Sequence, residues 1–99
     1  MARIRLVPGV VEDLARIASH LRRHEIGNAG ARSEEIIGAL DVLADNPLIG
    51  RPVHQDQREL VIGRDAHGYV ALYRYVAAVD TVFVLAVRAQ RESGYVRHE

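Results

Sequence analysis

The sequence predicts an α+β fold in the order strand, helix, helix, strand, strand, strand, with a helical hairpin packed on a small antiparallel sheet. Three observations carry that prediction. The stretch Tyr69 to Val87 alternates like two consecutive strands that are apolar on both faces. Two earlier stretches, Val10 to Leu21 and Ile36 to Leu43, space apolar residues three and four apart, the period of an amphipathic helix. The opening run Ala2 to Val7 sets Ile4 and Leu6 against Arg3 and Arg5, as a half-exposed outer strand does. A chain of 99 residues can enclose one core but not two, so a single domain over 1–99 is expected.

Pro8 and Gly9 break the first strand, and proline suits a helix start because the first-turn amide has no intrahelical partner. In the first helix Val10, Leu14, Ile17 and Leu21 form the stripe, with Val11 and Ala18 beside it. Glu12 and Asp13 near its start and Arg22 and Arg23 near its end follow the order that the helix macrodipole favours. Gly27-Asn28 is expected to end it. The second helix is expected from about Ala29 to Asp45, with Ile36, Leu40 and Leu43 on the stripe and Ile37 and Ala44 alongside. Gly38 within it costs roughly 1 kcal/mol relative to alanine, tolerable where it lets the helices approach closely.

Asn46-Pro47 stops the second helix, because the residue before proline is pushed out of the α region. Pro47 to Pro52 reads as a turn-rich connector, Arg58 to Ile62 as a short strand, and Gly63 to Gly68 as the turn into the hairpin. There Tyr69, Ala71, Tyr73 and Tyr75 share one parity, and Val70, Leu72, Arg74 and Val76 the other. In the last strand Val82, Val84 and Ala86 oppose Phe83, Leu85 and Val87. The link Ala77 to Asp80 contains no glycine, which favours a longer loop over a two-residue turn. Strands apolar on both sides need cover on both. Two helices blanket one face; the other wants a partner, or the tail Gln90 to Glu99 folded back over it.

Thirteen basic residues balance thirteen acidic ones, which argues against a whole-molecule field that draws in nucleic acid. Cysteine is absent, so disulfide, thiol and zinc–thiolate chemistry are excluded. No apolar run reaches the roughly 18 residues of a membrane span, and no signal-peptide core opens the chain. A soluble, cytoplasmic protein without membrane partners is expected. All its cationic side chains other than histidine are arginines, which base composition or selection for bidentate anion binding would each explain.

Few residues suggest catalysis. His20 and His24 are four apart beside Glu25, a spacing that can share a metal, but no third ligand is in view and solvated histidines are the preferred reading. His54 and His67 fall in loops, and Ser19, Ser33 and Ser93 lack a nucleophile-elbow setting. Gly63 and Gly68 lack the spacing of a phosphate loop. No metal or cofactor is therefore expected. What remains is an arginine cluster in the C-terminal half: Arg58, Arg64, Arg74, Arg88 and Arg91, with Tyr95. Such a group suits phosphates or carboxylates. Arg74 and Arg88 lie within apolar strands, where a charge needs either a binding role or an internal partner such as Asp80, Glu59 or Glu92.

Several motifs in order resemble the RelE/ParE superfamily of toxins from type II toxin–antitoxin modules, across essentially the whole chain. They are Val7-Pro8, Glu12-Asp13-Leu14, Asn46-Pro47-Leu48-Ile49-Gly50-Arg51-Pro52-Val53, Arg58-Glu59-Leu60, Leu72-Tyr73-Arg74, and Val87 to Tyr95. The helical hairpin followed by Asn-Pro-x-x-Gly-Arg-Pro is similar to the ParE branch. That resemblance implies a toxin that poisons DNA gyrase rather than an enzyme, neutralised by a cognate antitoxin, ParD-like or other. The RelE branch implies instead ribosome-dependent mRNA cleavage. Arg74, Arg88 and Arg91 would then clamp phosphate and Tyr95 act as acid, with the base missing unless one of His54, His67 or His98 supplies it. On either branch Arg58, Arg74, Arg88, Arg91 and Tyr95 are the expected target- or antitoxin-binding residues. A third reading is a chain without toxicity that serves only as an antitoxin-binding module.

Overall fold

The computed structural model describes residues 1–23, 29–63, 68–92 and 94–95, with the main chain alone for 29–33. The expectations that rest on His24, Glu25, Gly27-Asn28, Arg64, His67, Ser93 and His98, and on the Ser33 side chain, lie outside the described residues. The elements are β1 (Arg3–Leu6), α1 (Pro8–Arg23), α2 (Ala29–Asp45), β2 (Arg51–Pro52), β3 (Gln57–Ile62), β4 (Tyr69–Val76), a 3₁₀ turn (Ala77–Val79) and β5 (Thr81–Ala89). This is the expected α+β order with one addition: the connector contains a two-residue strand, β2, paired antiparallel with β3.

The five strands lie in the order β1-β5-β4-β3-β2. The sheet is mostly antiparallel but not wholly so, because β1 pairs with β5 in parallel, Arg3 opposite Thr81 and Leu6 opposite Val84. A parallel neighbour needs a long crossover, and everything between β1 and β5 supplies it. The β4–β5 link is the 3₁₀ turn, closed by Asp80 in the left-handed region at φ 46.

One face of the sheet carries Ile62, Tyr69, Ala71, Tyr73, Val82, Val84 and Val87, all buried with Val10, Ile17 and Leu21 of α1 and Ile36, Leu40 and Leu43 of α2. The predicted stripes are therefore the buried ones, while their flanks Val11 and Ile37 are exposed. Gly38 does not serve a close approach: a side chain there would meet nothing within 4 Å.

The simple parity of β5 fails at one place. Leu72 pairs with Ala86 but Tyr73 pairs with Val84, so Leu85 is the extra residue of a β-bulge. A bulge inserts one residue and exchanges the faces beyond it. Val87 thus joins Val82 and Val84 under the helices, while Ala86 and Arg88 turn to the opposite, open face. Asp13 also departs from expectation. It is buried in the second turn of α1, with 1 % of its surface exposed, and its Oδ2 accepts the Val87 N–H at 2.9 Å. Arg16, one turn on, donates to the Val87 carbonyl at 3.3 Å. β1 ends at Leu6, so these two side chains complete the strand-edge groups that β1 no longer reaches.

Candidate functional site

The open face of the sheet holds the candidate site. Paired residues point to the same side, which places Glu59, Leu72 and Ala86 in one cross-strand row and Val61, Val70 and Arg88 in the next. Arg51 of β2 faces Glu59 in register and donates to its Oε1 from Nε at 3.1 Å and Nη2 at 2.8 Å. The chain after β5 then turns back. Tyr95 reaches this face and donates its hydroxyl to Glu59 Oε2 at 2.6 Å, and the Arg88 guanidinium lies 5.1 Å from the centre of the Tyr95 ring. Arg51, Glu59, Tyr95 and Arg88 thus form one cluster.

Three local features build it. Gly50 permits the first, because a Cβ there would lie 2.6 Å from the Tyr73 ring and 2.7 Å from the Glu59 carbonyl oxygen. Only glycine lets the connector close onto β3, and Gly50 N–H then donates to the buried Tyr73 hydroxyl at 2.8 Å. Arg58, opposite Tyr73 and so on the helix face, fixes the same connector by donating to the carbonyls of Leu48 at 3.1 Å and Gly50 at 2.9 Å. The bulge at Leu85 is the second feature, since it aims Arg88 at the open face. The third is the tail turn, held by Arg88 Nη1 on the carbonyls of Ala89 at 3.2 Å and Glu92 at 3.1 Å and by an ion pair from Arg16 to Glu92.

The electrostatics follow from that packing. Burial raises the Glu59 carboxyl, yet the hydrogen bonds from Tyr95 and Arg51 outweigh it and hold the group below its ordinary value. Tyr95 moves the other way. Burial first, then the bond to the Glu59 carboxylate, push its phenol well above the ordinary tyrosine value. A phenol that must keep its proton beside an ionised carboxylate is a good hydrogen-bond donor and a poor general acid.

The family model described as the ParE toxin of the type II toxin–antitoxin system parDE matches residues 4–94. The chain belongs to the ParE toxin family. No curated protein matches it. Among solved structures, this ParE-family toxin is similar to a chain of the chromosomal ParDE system from P. aeruginosa, at 19 % identity and a TM-score of 0.73, covering 90 % of this chain and 96 % of that one. It is also similar to a chain of the intact E. coli RelBE toxin–antitoxin complex, at 14 % identity and a TM-score of 0.67, covering 93 % and 100 %. A chain of the RelBE2 complex from Mycobacterium tuberculosis matches at 22 % identity and a TM-score of 0.58, covering 90 % and 98 %. At such identities the likeness establishes a shared fold.

In this ParE-family toxin, Arg88 and Tyr95 are brought together, and Arg74 is on the same open face. Arg74 lies opposite Phe83 and Gln57, about 13 Å along the strand from the Arg88 row at about 3.3 Å per residue. It is exposed and loosely paired, its Nε 3.8 Å from Asp56. Arg91 is exposed in the turn after β5. Arg58 is turned to the other face. The carboxylates considered as partners for Arg74 and Arg88 have other ones: Glu59 takes Arg51 and Tyr95, Glu92 takes Arg16, and Asp80 accepts the Tyr75 hydroxyl at 2.7 Å. Arg51 and Arg16 were missed as contributors because their partners are set by strand register and tail course, which spacing along the chain does not encode. Among the described residues no group of three metal-ligating side chains exists, and no helix is long and apolar enough to cross a membrane.

Proposed function

We propose that this ParE-family toxin acts by binding DNA gyrase and blocking replication, and that a cognate antitoxin neutralises it by covering the open sheet face. The observation that carries the reading is the state of Tyr95. Its proton is held by Glu59 and its phenol is pushed up rather than down, while Arg88 spends its Nη1 on tail carbonyls. Such a cluster is suited to fixed recognition, with no acid ready to release a proton and, among the described residues, no histidine bonded into it as base. Arg74, Arg88, Arg91 and Tyr95 are then contact residues, and Arg58 acts by fixing the connector. Structural likeness to toxin–antitoxin complexes of both the ParDE and RelBE type supports an antitoxin partner.

Ribosome-dependent mRNA cleavage is the second reading, favoured by the RelBE likeness and by the stacking of Arg88 on Tyr95. The deciding experiment adds purified toxin, freed of antitoxin, to gyrase supercoiling and cleavage assays, with ribosome-dependent mRNA cleavage alongside. Gyrase inhibition with intact mRNA is expected. Cut mRNA with unaffected gyrase would reverse the assignment, and loss of neither activity would leave a pure antitoxin-binding module.

A further inference from the structure

Val70 and Ala86 are buried, 2 % and 6 % exposed, yet neither belongs to the core beneath the helices. Strand pairing puts Val70 in the Arg88 row and Ala86 in the Glu59 row, on the face that the helices do not cover. Among the described residues, their shield is the tail after β5 with the side chains of Arg88, Glu59 and Tyr95. The described tail residues place no side chain in the core cluster. Polar bonds hold the tail instead: Gln90 N–H donates to the Gly68 carbonyl at 3.0 Å and Glu92 N–H to the Ala89 carbonyl at 3.1 Å, Arg88 caps the turn, Tyr95 bonds Glu59 and Glu92 pairs with Arg16. That last tie runs to α1. Arg16 is seated for it by Asp13 at 3.4 Å and by the Val87 carbonyl at 3.3 Å, and the Arg16 and Glu92 side chains remain 34 % and 29 % exposed.

We propose that the tail is a charge-latched cover, which lifts as a unit while sheet and helices stay folded, and that the Arg16–Glu92 pair sets how often it does so. A segment tied by half-exposed polar bonds, without core burial, opens at a lower free energy than the elements it lies upon. The two ties differ in kind. The partly buried bond from Tyr95 to an ionised carboxylate is the stronger, and the exposed ion pair is the weaker, adjustable one that salt screens. Lifting uncovers an apolar strip, Val70 and Ala86 beside half-buried Leu72 and exposed Val61. It also takes Tyr95 away from Glu59 and Arg88, so their cluster exists only while the cover is closed. Arg16 of α1 is thus a positioning residue for side chains on the far face of the sheet. The inference concerns the free chain and holds whichever target the toxin has.

The chain has no cysteine, so a single introduced thiol reports when its site opens. Val70→Cys, with Ala86→Cys as a second reporter, sits under the cover; Val84→Cys, at a site 0 % exposed beneath the helices, reports unfolding of the core. Labelling of the full chain by a thiol reagent is expected to be at least about tenfold faster at Val70→Cys than at Val84→Cys. Low urea should leave the Val70→Cys rate nearly flat and raise the Val84→Cys rate steeply, because lifting the cover exposes little surface and unfolding exposes much. Adding Glu92→Gln should raise Val70→Cys labelling about two- to fivefold, and added salt should then have less effect than in the chain that keeps Glu92. Glu34→Gln, the same charge change on the exposed side of α2, should leave the rate unchanged. Equal rates and urea slopes at the two sites would overturn the proposal, because the tail would then lift only when the whole chain unfolds. Labelling of Val70→Cys as fast as a free thiol, or equal effects of Glu92→Gln and Glu34→Gln, would overturn it as well.

Discussion

Tyr95 and Glu59 are 36 positions apart in the chain, and the Tyr95 hydroxyl donates to Glu59 Oε2 across 2.6 Å. That bond is the point at which the tail, the central strands and the connector meet, because the other oxygen of Glu59 is held by Arg51. The sheet face that the helices leave open is thus partly closed by the chain itself. Each shift in protonation there follows from the same geometry.

Replacing Tyr95 by phenylalanine keeps the ring under Arg88 and removes the hydroxyl. Glu59 then loses one charge-assisted hydrogen bond, worth roughly 1.5–3 kcal/mol in comparable settings. The expected outcome is faster amide exchange across Arg88 to Tyr95 with little change in the helices. Uniform destabilisation of the whole chain would show that the tail is part of the core and not a strap upon it.

Stability should fall at both ends of the pH scale for opposite reasons. Glu59 binds fewer protons folded than unfolded, so its contribution is present above its ordinary value of 4.5 and disappears as pH falls through its lowered folded value. Tyr95 and Tyr73 have raised folded values, so theirs is present below the ordinary 10.0 and disappears as pH rises beyond it. Denaturant midpoints measured across pH should therefore decline in both directions, and Tyr95→Phe should flatten the alkaline limb.

Much of this was legible in the sequence, and the failures have identifiable causes. The stripe of Val10, Ile17 and Leu21 was readable because helical periodicity is a local property. The face of Arg88 was not, since counting residues in alternation assumes an unbroken pleat and the bulge at Leu85 breaks it. Asp13 looked like a helix-dipole residue, yet its buried carboxylate completes a strand edge formed 74 positions away. Parallel pairing of β1 was hidden for the same reason: the nearest strand in space is the last in sequence.

Two glycines should respond in opposite ways to the same change. Gly50→Ala forces a methyl group against the Tyr73 ring and the Glu59 carbonyl, and overpacking of this kind costs about 1–3 kcal/mol or more. Gly38→Ala meets nothing within 4 Å on an exposed helical turn and should stabilise by about 0.5–1 kcal/mol. Chemical denaturation of the two variants checks both signs. A neutral Gly50→Ala would mean the connector can move off β3 without cost.

Asp13 offers a sharper comparison of roles. Asp13→Ala strands the buried Val87 N–H and should cost about 1–3 kcal/mol, whereas Asp13→Asn keeps an oxygen acceptor and should lose much less. Arg16 contacts the same strand edge and also pairs with Glu92, so Asp13→Ala and Arg16→Ala should be non-additive in a double-mutant cycle. Additive losses would separate the edge completion into two independent contacts.

Arg74 and Arg88 distinguish contact from construction. Arg74 is exposed and, among the described residues, loosely paired with exposed Asp56, so Arg74→Ala should leave the melting temperature nearly unchanged while weakening growth arrest and gyrase inhibition. Arg88 holds the tail turn through the carbonyls of Ala89 and Glu92 and stacks on Tyr95. Arg88→Ala should therefore reduce both stability and toxicity, and Arg88→Lys should restore neither fully, because an ammonium does not reproduce the planar fork or the stacking. Measuring thermal stability and gyrase inhibition on the same preparations separates the cases. Full toxicity in Arg74→Ala would remove that end of the open face from the target contact and leave it to the antitoxin.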